Sequence, residues 1–315
     1  MSLLDAILKP LRAATSLRPG AKAEDDLFDD EFQRKLDYLA LVSRKVFAGR
    51  NRAERRTKKT GSGVEFADHR DYQPGDDFRY LDWSVYQRFD RLLLRLFEEE
   101  EDLAIYFIVD ASESMAFGGG EKLRYAKRTA AALAYVGLAN LDRVSLVSTS
   151  DRLGPRMPET RGKARIFKVF RWLRELDARG TTDLGDAMRS FVAQNKRRGL
   201  AVVISDLYDP AGFERGINVL RYAKFDPFVV HVVDPREAEP KLAGDVLLYD
   251  CETGDEREVT VTAKVLEKFK DEYAAYLQEI ARFCAGKQVP YVKAEVSVPF
   301  DELVLRVFRR GGFLR

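Results

Sequence analysis

The chain has 315 residues, enough for one large domain with an appendage or for two ordinary domains. It is 45% hydrophobic and 33% charged, as expected for a chain with a sizeable core, and a formal net charge of +2 excludes a global attraction to nucleic acid or acidic membrane surfaces. Two distant cysteines, Cys251 and Cys284, lack zinc-ligand spacing, and no apolar stretch approaches the roughly 20 residues of a membrane span. Lone thiols suit a reducing compartment, and residues 1–20 lack the layout of a secretory signal, so the expected location is the cytoplasm.

Residues 1–20 read as a frayed tail, with a short amphipathic surface helix as the alternative. An acidic stretch over 21–31 leads into FQRKLDYLALVSRKVF, where Phe32, Leu36, Leu39, Val42 and Val46 recur at helical spacing and Gly49 stands where a helix should stop. The basic run Arg50, Arg52, Arg55, Arg56, Lys58 and Lys59 reads as a solvated linker, since no aromatic residue interleaves it; the alternative is contact with phosphates or an acidic partner. Residues 1–62 are thus expected to form a helical arm of lower order with a basic linker. In the preamble over 63–102, Pro74-Gly75 signals a turn. There Asp76, Asp77, Arg79 and Asp82 suit a buried charge network tying the preamble to a sheet, or else a partner-docking surface. The acidic run over 98–102 reads as a solvated strand edge.

From Leu103 onward, strands and helices alternate. LAIYFIVD is a continuous apolar strand of the kind buried on both faces of a parallel sheet, and LAVVISD is another. Between and after them come the helix KLRYAKRTAAALAYVGLAN, the strand RVSLVSTS, the helices ARIFKVFRWLREL, TTDLGDAMRSFVAQN and FERGINVLRYAKF, and the strand DPFVVHVVD. The alternation predicts an α/β fold with a doubly wound, mostly parallel sheet over 103–315. A hairpin insertion near 242–262 turns at Thr253-Gly254; a long helix, the short strand PYVKAEV and a last helix follow.

The first of these strands ends in Asp110-Ala-Ser112-Glu-Ser114, a D-x-S-x-S sequence. Ligands of open α/β sheets bind outside the carboxyl ends of the strands, and one carboxylate with two hydroxyls offers the oxygen donors a hard divalent cation requires. The motif alone is weak. Two further loops strengthen it: Gly180-Thr181-Thr182-Asp183-Leu184 places a hydroxyl before a helix, and LAVVIS ends in Asp206. Capping offers a simpler account of Ser112, Ser114, Thr182 and Asp183, but it does not account for Asp110 and Asp206 at strand ends.

These loops resemble the metal-ion-dependent adhesion site of von Willebrand factor A domains. The resemblance implies Ser112, Ser114 and Thr182 as hydroxyl ligands of Mg²⁺, with Mn²⁺ or Ca²⁺ as alternatives, and Asp110 and Asp206 holding waters on the ion or binding it directly. It also implies a last position filled by a partner's carboxylate. Spacing favours Thr182 over Thr181 and leaves a shift of one residue open. A second stretch resembles the signature of domain-of-unknown-function family fifty-eight: Tyr72-Gln-Pro74-Gly75-Asp76-Asp77, Asp82-Trp83, the acidic run at 98–101 and the later ETGD turn at 252–255. Gln87 departs from the alanine-like residue expected there. The glycine-rich stretch 117–120 is no Walker A loop, because Lys122 follows Glu121 and no Ser or Thr comes next. That second resemblance implies an adaptor or co-chaperone of a MoxR-type AAA+ ATPase.

Two functions compete. One is a non-catalytic, metal-dependent protein-interaction module; the other is a metal-dependent phosphoesterase using the same Asp cluster. Hydrolysis needs a positioned base or nucleophile, yet the histidines are His69, in the preamble, and His231, inside a strand where it reads as a satisfied core residue. Dinucleotide binding fails because no G-x-G-x-x-G follows a strand.

Overall fold

The computed structural model describes residues 27–50, 56–60, 65–100 and 103–310. Contacts divide this chain into a larger unit, up to Ser43 and again from Leu103, and a smaller one between them. The expected tail over 1–20 and residues 51–55 of the basic run lie outside the described residues.

Helix α1 (Asp30–Arg50) begins where the Asp29 carboxylate accepts the Phe32 N–H at 2.7 Å. Its apolar stripe, Phe28, Phe32, Leu36 and Leu39, is buried. Phe28 stacks on Phe170 with ring centroids 4.4 Å apart, Phe32 packs on Phe300 at 4.6 Å, and the Tyr135 hydroxyl donates to Asp37. The expected arm over 1–62 is corrected here: as far as Ser43, α1 is part of the larger unit's core, because its aromatic stripe finds partners there.

The smaller unit is an antiparallel sheet of β1 (Arg56–Thr60), β2 (Glu65–Asp71) and β3 (Leu93–Glu100), with helix α2 (Trp83–Phe89) between β2 and β3 in sequence. Two expectations change. The end of the basic run is a strand, not a linker, and residues 98–100 of the acidic run lie on the central strand β3 rather than on an edge, residues 101–102 lying outside the described residues. The backbone register sets Arg56 opposite Glu100 and Lys58 opposite Glu98, so the basic stretch and the acidic stretch run antiparallel along neighbouring strands. The aspartates over 76–82 form no buried network. Asp82 caps α2 by accepting the Ser84 and Val85 N–H groups and meets His69 at 2.9 Å; Asp76 binds Arg70, and Asp77 binds the exposed Arg79.

The larger unit is built on a six-stranded, mostly parallel sheet flanked by helices. In chain order it runs β4 (Ala104–Asp110), α3 (Phe117–Ala139), β5 (Arg143–Thr149), β6 (Leu153–Thr160), α4 (Ile166–Arg174), α5 (Leu184–Gln194), β7 (Leu200–Ser205), α6 (Phe213–Tyr222), β8 (Asp226–Val233) and the single turn α7 (Pro235–Ala238). The hairpin β9 (Gly244–Tyr249) and β10 (Glu256–Val261) forms its own two-stranded sheet; α8 (Ala263–Gly286), β11 (Tyr291–Glu295) and α9 (Phe300–Arg310) complete the unit. Strand order is β11-β8-β7-β4-β5-β6, with only β6 antiparallel. Every residue of β4 and of β7 is buried, as continuous apolar runs covered on both faces must be. The chain winds from β4 outward through β5 and β6, then returns to β7 on the other side. The winding therefore reverses between β4 and β7, and loops leaving the carboxyl ends of these strands diverge to leave a crevice.

Candidate metal centre

Asp110 closes β4 and Asp206 follows β7, its neighbour, so the two carboxylates stand side by side at the point where the winding reverses. Both are fully buried. The Ser112 N–H donates to Asp110 Oδ1 at 3.0 Å, and the Ser205 hydroxyl donates to Oδ2 at 2.5 Å. Burial and the neighbouring Asp206 push the Asp110 carboxyl up to about 7. A second carboxylate at this place is thus electrostatically costly without a cation.

Ser112 and Ser114 are also buried, and their hydroxyl oxygens lie 2.9 Å apart. Ser112 occupies the cap position of a short 3₁₀ turn yet makes no side-chain capping bond, so the capping account of this hydroxyl fails. Adjacent vertices of a Mg²⁺ octahedron, with bonds of about 2.1 Å, stand about 3.0 Å apart, which fits the serine pair. The threonine loop is laced to the serine loop by its backbone: the Arg179 N–H donates to the Ala111 carbonyl at 2.7 Å, and the Glu113 N–H donates to the Gly180 carbonyl at 3.0 Å. Thr182 is buried, while Asp183 takes the capping role for α5 by accepting the Asp186 N–H. All five residues singled out in the sequence therefore lie on three adjoining loops at one end of the sheet.

Four partners were not legible in the sequence. Ser205, on the last residue of β7, fixes Asp110. Lys122, at the start of α3 and fully buried, donates to Asp206 Oδ2 at 2.7 Å and to Glu237 Oε1 at 2.5 Å. Burial alone would lower this ammonium, but Asp206 and Glu237 outweigh it and raise it, so Lys122 stays charged. Its counter-ion Glu237 belongs to α7, where a capping box with Asp234 places it. Glu252, on the turn of the β9–β10 hairpin, accepts the Thr182 hydroxyl at 2.9 Å and the Thr182 N–H at 3.2 Å. The position of Lys122 offered a signal, since it stands at the opening of the regular part of α3, just after Gly118, Gly119 and Gly120, whose positive φ angles are non-helical, and so stays near the serine loop.

His231 sits within β8 with Nδ1 3.0 Å from the Tyr291 hydroxyl. Burial lowers it to about 4, against the opposing pull of Asp206, so it is a neutral core histidine. After Asp206, Leu207 takes φ = 62°, a left-handed conformation for a buried, γ-branched residue; the Ser205 hydroxyl accepts its N–H at 2.8 Å. Strain of this kind, of order 1–3 kcal/mol, persists only where surrounding bonds enforce it.

A family model described as protein of unknown function DUF58 matches residues 68–279. The chain belongs to the DUF58 family. The match spans the crevice residues Asp110, Ser112, Ser114, Thr182 and Asp206 as well as most of the smaller unit. An uncharacterised protein of Mycobacterium tuberculosis (strain H37Rv) is 28% identical to this DUF58 protein over 312 residues, covering 96% of this chain and 98% of that one. An uncharacterised protein of Mycobacterium avium is 36% identical over 100 residues, 32% of this chain and 59% of its own. Among solved structures, the conserved hypothetical protein BatB from Bacteroides thetaiotaomicron aligns with a TM-score of 0.42 at 16% identity, over 66% of this chain and 96% of that one. No helix among the described residues of the DUF58 protein is long and apolar enough to cross a membrane.

Proposed function

We propose that the larger unit is a von Willebrand factor A-like domain whose crevice holds Mg²⁺ and, through it, a carboxylate of a protein partner. The observation that carries this reading is the buried Ser112–Ser114 hydroxyl pair, 2.9 Å apart and without a capping role, beside two carboxylates at the reversal of the winding. Ser112, Ser114 and Thr182 would hold the cation, with Asp110 and Asp206 around it. A bound Mg²⁺ supplies a strongly electrophilic position open to an incoming carboxylate, because hydroxyl ligands neutralise little of its charge. The chain's own groups do the rest. Ser205 and the Ser112 N–H fix Asp110, and Lys122 spans Asp206 and Glu237 so that Asp206 keeps its place in the fold.

A phosphoesterase would need a base with an open lone pair near the ion. Asp110 is fully buried, with the Ser112 N–H and the Ser205 hydroxyl fixing its two oxygens in place, and His231 is tied into the core, so neither is presented to a water outside the crevice. These engagements favour binding over hydrolysis. The proposed partner is a MoxR-type AAA+ ATPase contributing an Asp or Glu, with this chain as its adaptor or co-chaperone. Immobilised wild-type protein should capture the purified ATPase in Mg²⁺, release it in EDTA and recapture it when Mg²⁺ returns. Ser112→Ala should lose at least tenfold in affinity. Equal capture in EDTA and by Ser112→Ala would overturn the metal-bridge reading.

A further inference from the structure

The carboxylate nearest the threonine of this site belongs to the chain itself. Glu252 reaches Thr182 from the turn of the β9–β10 hairpin, whose strands pair only with each other among the described strands and not with the six-stranded sheet. The turn is built to present it. The Asp250 carboxylate accepts the N–H groups of Glu252 at 2.9 Å and Thr253 at 3.2 Å, and the Asp250 carbonyl accepts the Gly254 N–H at 2.8 Å. Gly254 takes φ = 74°, which a side chain would oppose. Asp250 thus spends Oδ1 and its carbonyl on the turn, its buried Oδ2 having no hydrogen-bond partner among the described residues, while both oxygens of Glu252 turn to Thr182.

The geometry points to Glu252 as a built-in ligand: we propose that its carboxylate takes the coordination position that a partner's carboxylate would otherwise fill, so the hairpin closes the site until a partner displaces it. This rests on the reading of the crevice as a cation site. Glu252 Oε1 stands 2.9 Å from Thr182 Oγ1, the same separation as between the two serine hydroxyls and that of neighbouring vertices around Mg²⁺. The hydroxyl proton of Thr182 points to Glu252, which leaves the oxygen's lone pairs for a cation. A plain structural staple would also join hairpin and loop, but it would be indifferent to metal. An intramolecular carboxylate acts at high effective concentration, so an outside carboxylate competes with it unless further contacts lift the hairpin away. The partner this predicts is one that engages the hairpin as well as the ion.

The test uses Mn²⁺ alone as probe, on the full chain. Calorimetric titration of wild type, Glu252→Gln, Ser112→Ala and the hairpin control Glu256→Gln is paired with hydrogen exchange over 244–261, with and without Mn²⁺. The expected results are binding about tenfold weaker in Glu252→Gln and unchanged in Glu256→Gln. Mn²⁺ should slow exchange of the hairpin in wild type but not in Glu252→Gln. If Ser112→Ala abolishes binding while Glu252→Gln matches wild type and the hairpin ignores Mn²⁺, the built-in ligand is overturned and the cation site stands. If wild type shows no binding that depends on Ser112, both fall.

Discussion

Asp110 carries a conflict that a cation would resolve. A carboxylate ionises near 3.9 in an unfolded chain, whereas burial and Asp206 raise this one to about 7 in the folded protein. Between those values the folded state binds more protons than the unfolded state, so the metal-free fold loses stability as pH rises through that window and levels off above it. Asp110→Asn keeps the shape and one acceptor oxygen for the Ser112 N–H without the charge, while its amide NH₂ would donate to the Ser205 hydroxyl oxygen instead of accepting from it. In EDTA it should melt at about the same temperature as wild type near pH 4 and several degrees higher near pH 8; Mg²⁺ should stabilise wild type alone. Melting curves that shift in parallel with pH in both proteins would contradict the assignment of this conflict to Asp110. Lys122 meets the same problem differently, by holding a permanent charge against Asp206 and Glu237 in the core. Such a buried pair seldom adds net stability, but loss of one member leaves the others uncompensated.

The helices set how close the loops stand. Gly216 of α6 lies so near the start of α5 that a Cβ there would fall 2.8 Å from Leu184 Cβ and 2.9 Å from its carbonyl oxygen. Leu184 is two residues past Thr182. Gly216→Ala should therefore cost about 1–3 kcal/mol from forced separation, exceeding the roughly 0.5–1 kcal/mol that alanine gains within a helix. It should also weaken Mn²⁺ binding by displacing the threonine loop. Gly286→Ala, at the end of α8 with nothing within 4 Å, is the control and should be neutral or slightly stabilising. Urea midpoints and calorimetry on the two variants check both statements; a Gly216→Ala protein with unchanged midpoint would mean that the helices yield freely.

The same elements explain what could be read beforehand. Strands β4 and β7 were legible because unbroken apolar runs are buried on both faces, and their terminal aspartates marked the ligand end of the sheet. Strand β6 was not, since LGPRMPET holds two prolines and an arginine; an edge strand tolerates these because one side of its ladder needs no partner. Strand β1 hid in a run of charge whose partner strand lies far along the chain. At the crevice, Ser112, Ser114 and Thr182 stood out through local spacing. Lys122 and Glu252 were not, because their partners lie 84 and 70 residues away and only the fold brings them together.

At the scale of the molecule, the chain presents a mostly parallel sheet whose reversal of winding gathers hydroxyls and carboxylates, and a separate antiparallel unit whose charged runs pair in register. The larger unit invests buried charge, a strained Leu207 and two laced loops in one crevice, more than a packing role requires. The proposal that this crevice binds a divalent cation rests on Ser112, Ser114 and Thr182. Anomalous diffraction at the manganese edge, from crystals grown with Mn²⁺, tests it most directly. A strong peak is expected at bonding distance from the Ser112 and Ser114 hydroxyls, absent in crystals of Ser112→Ala. A Mn²⁺ peak that lies elsewhere and leaves the serine pair hydrogen-bonded to itself, or no peak at all, would contradict it.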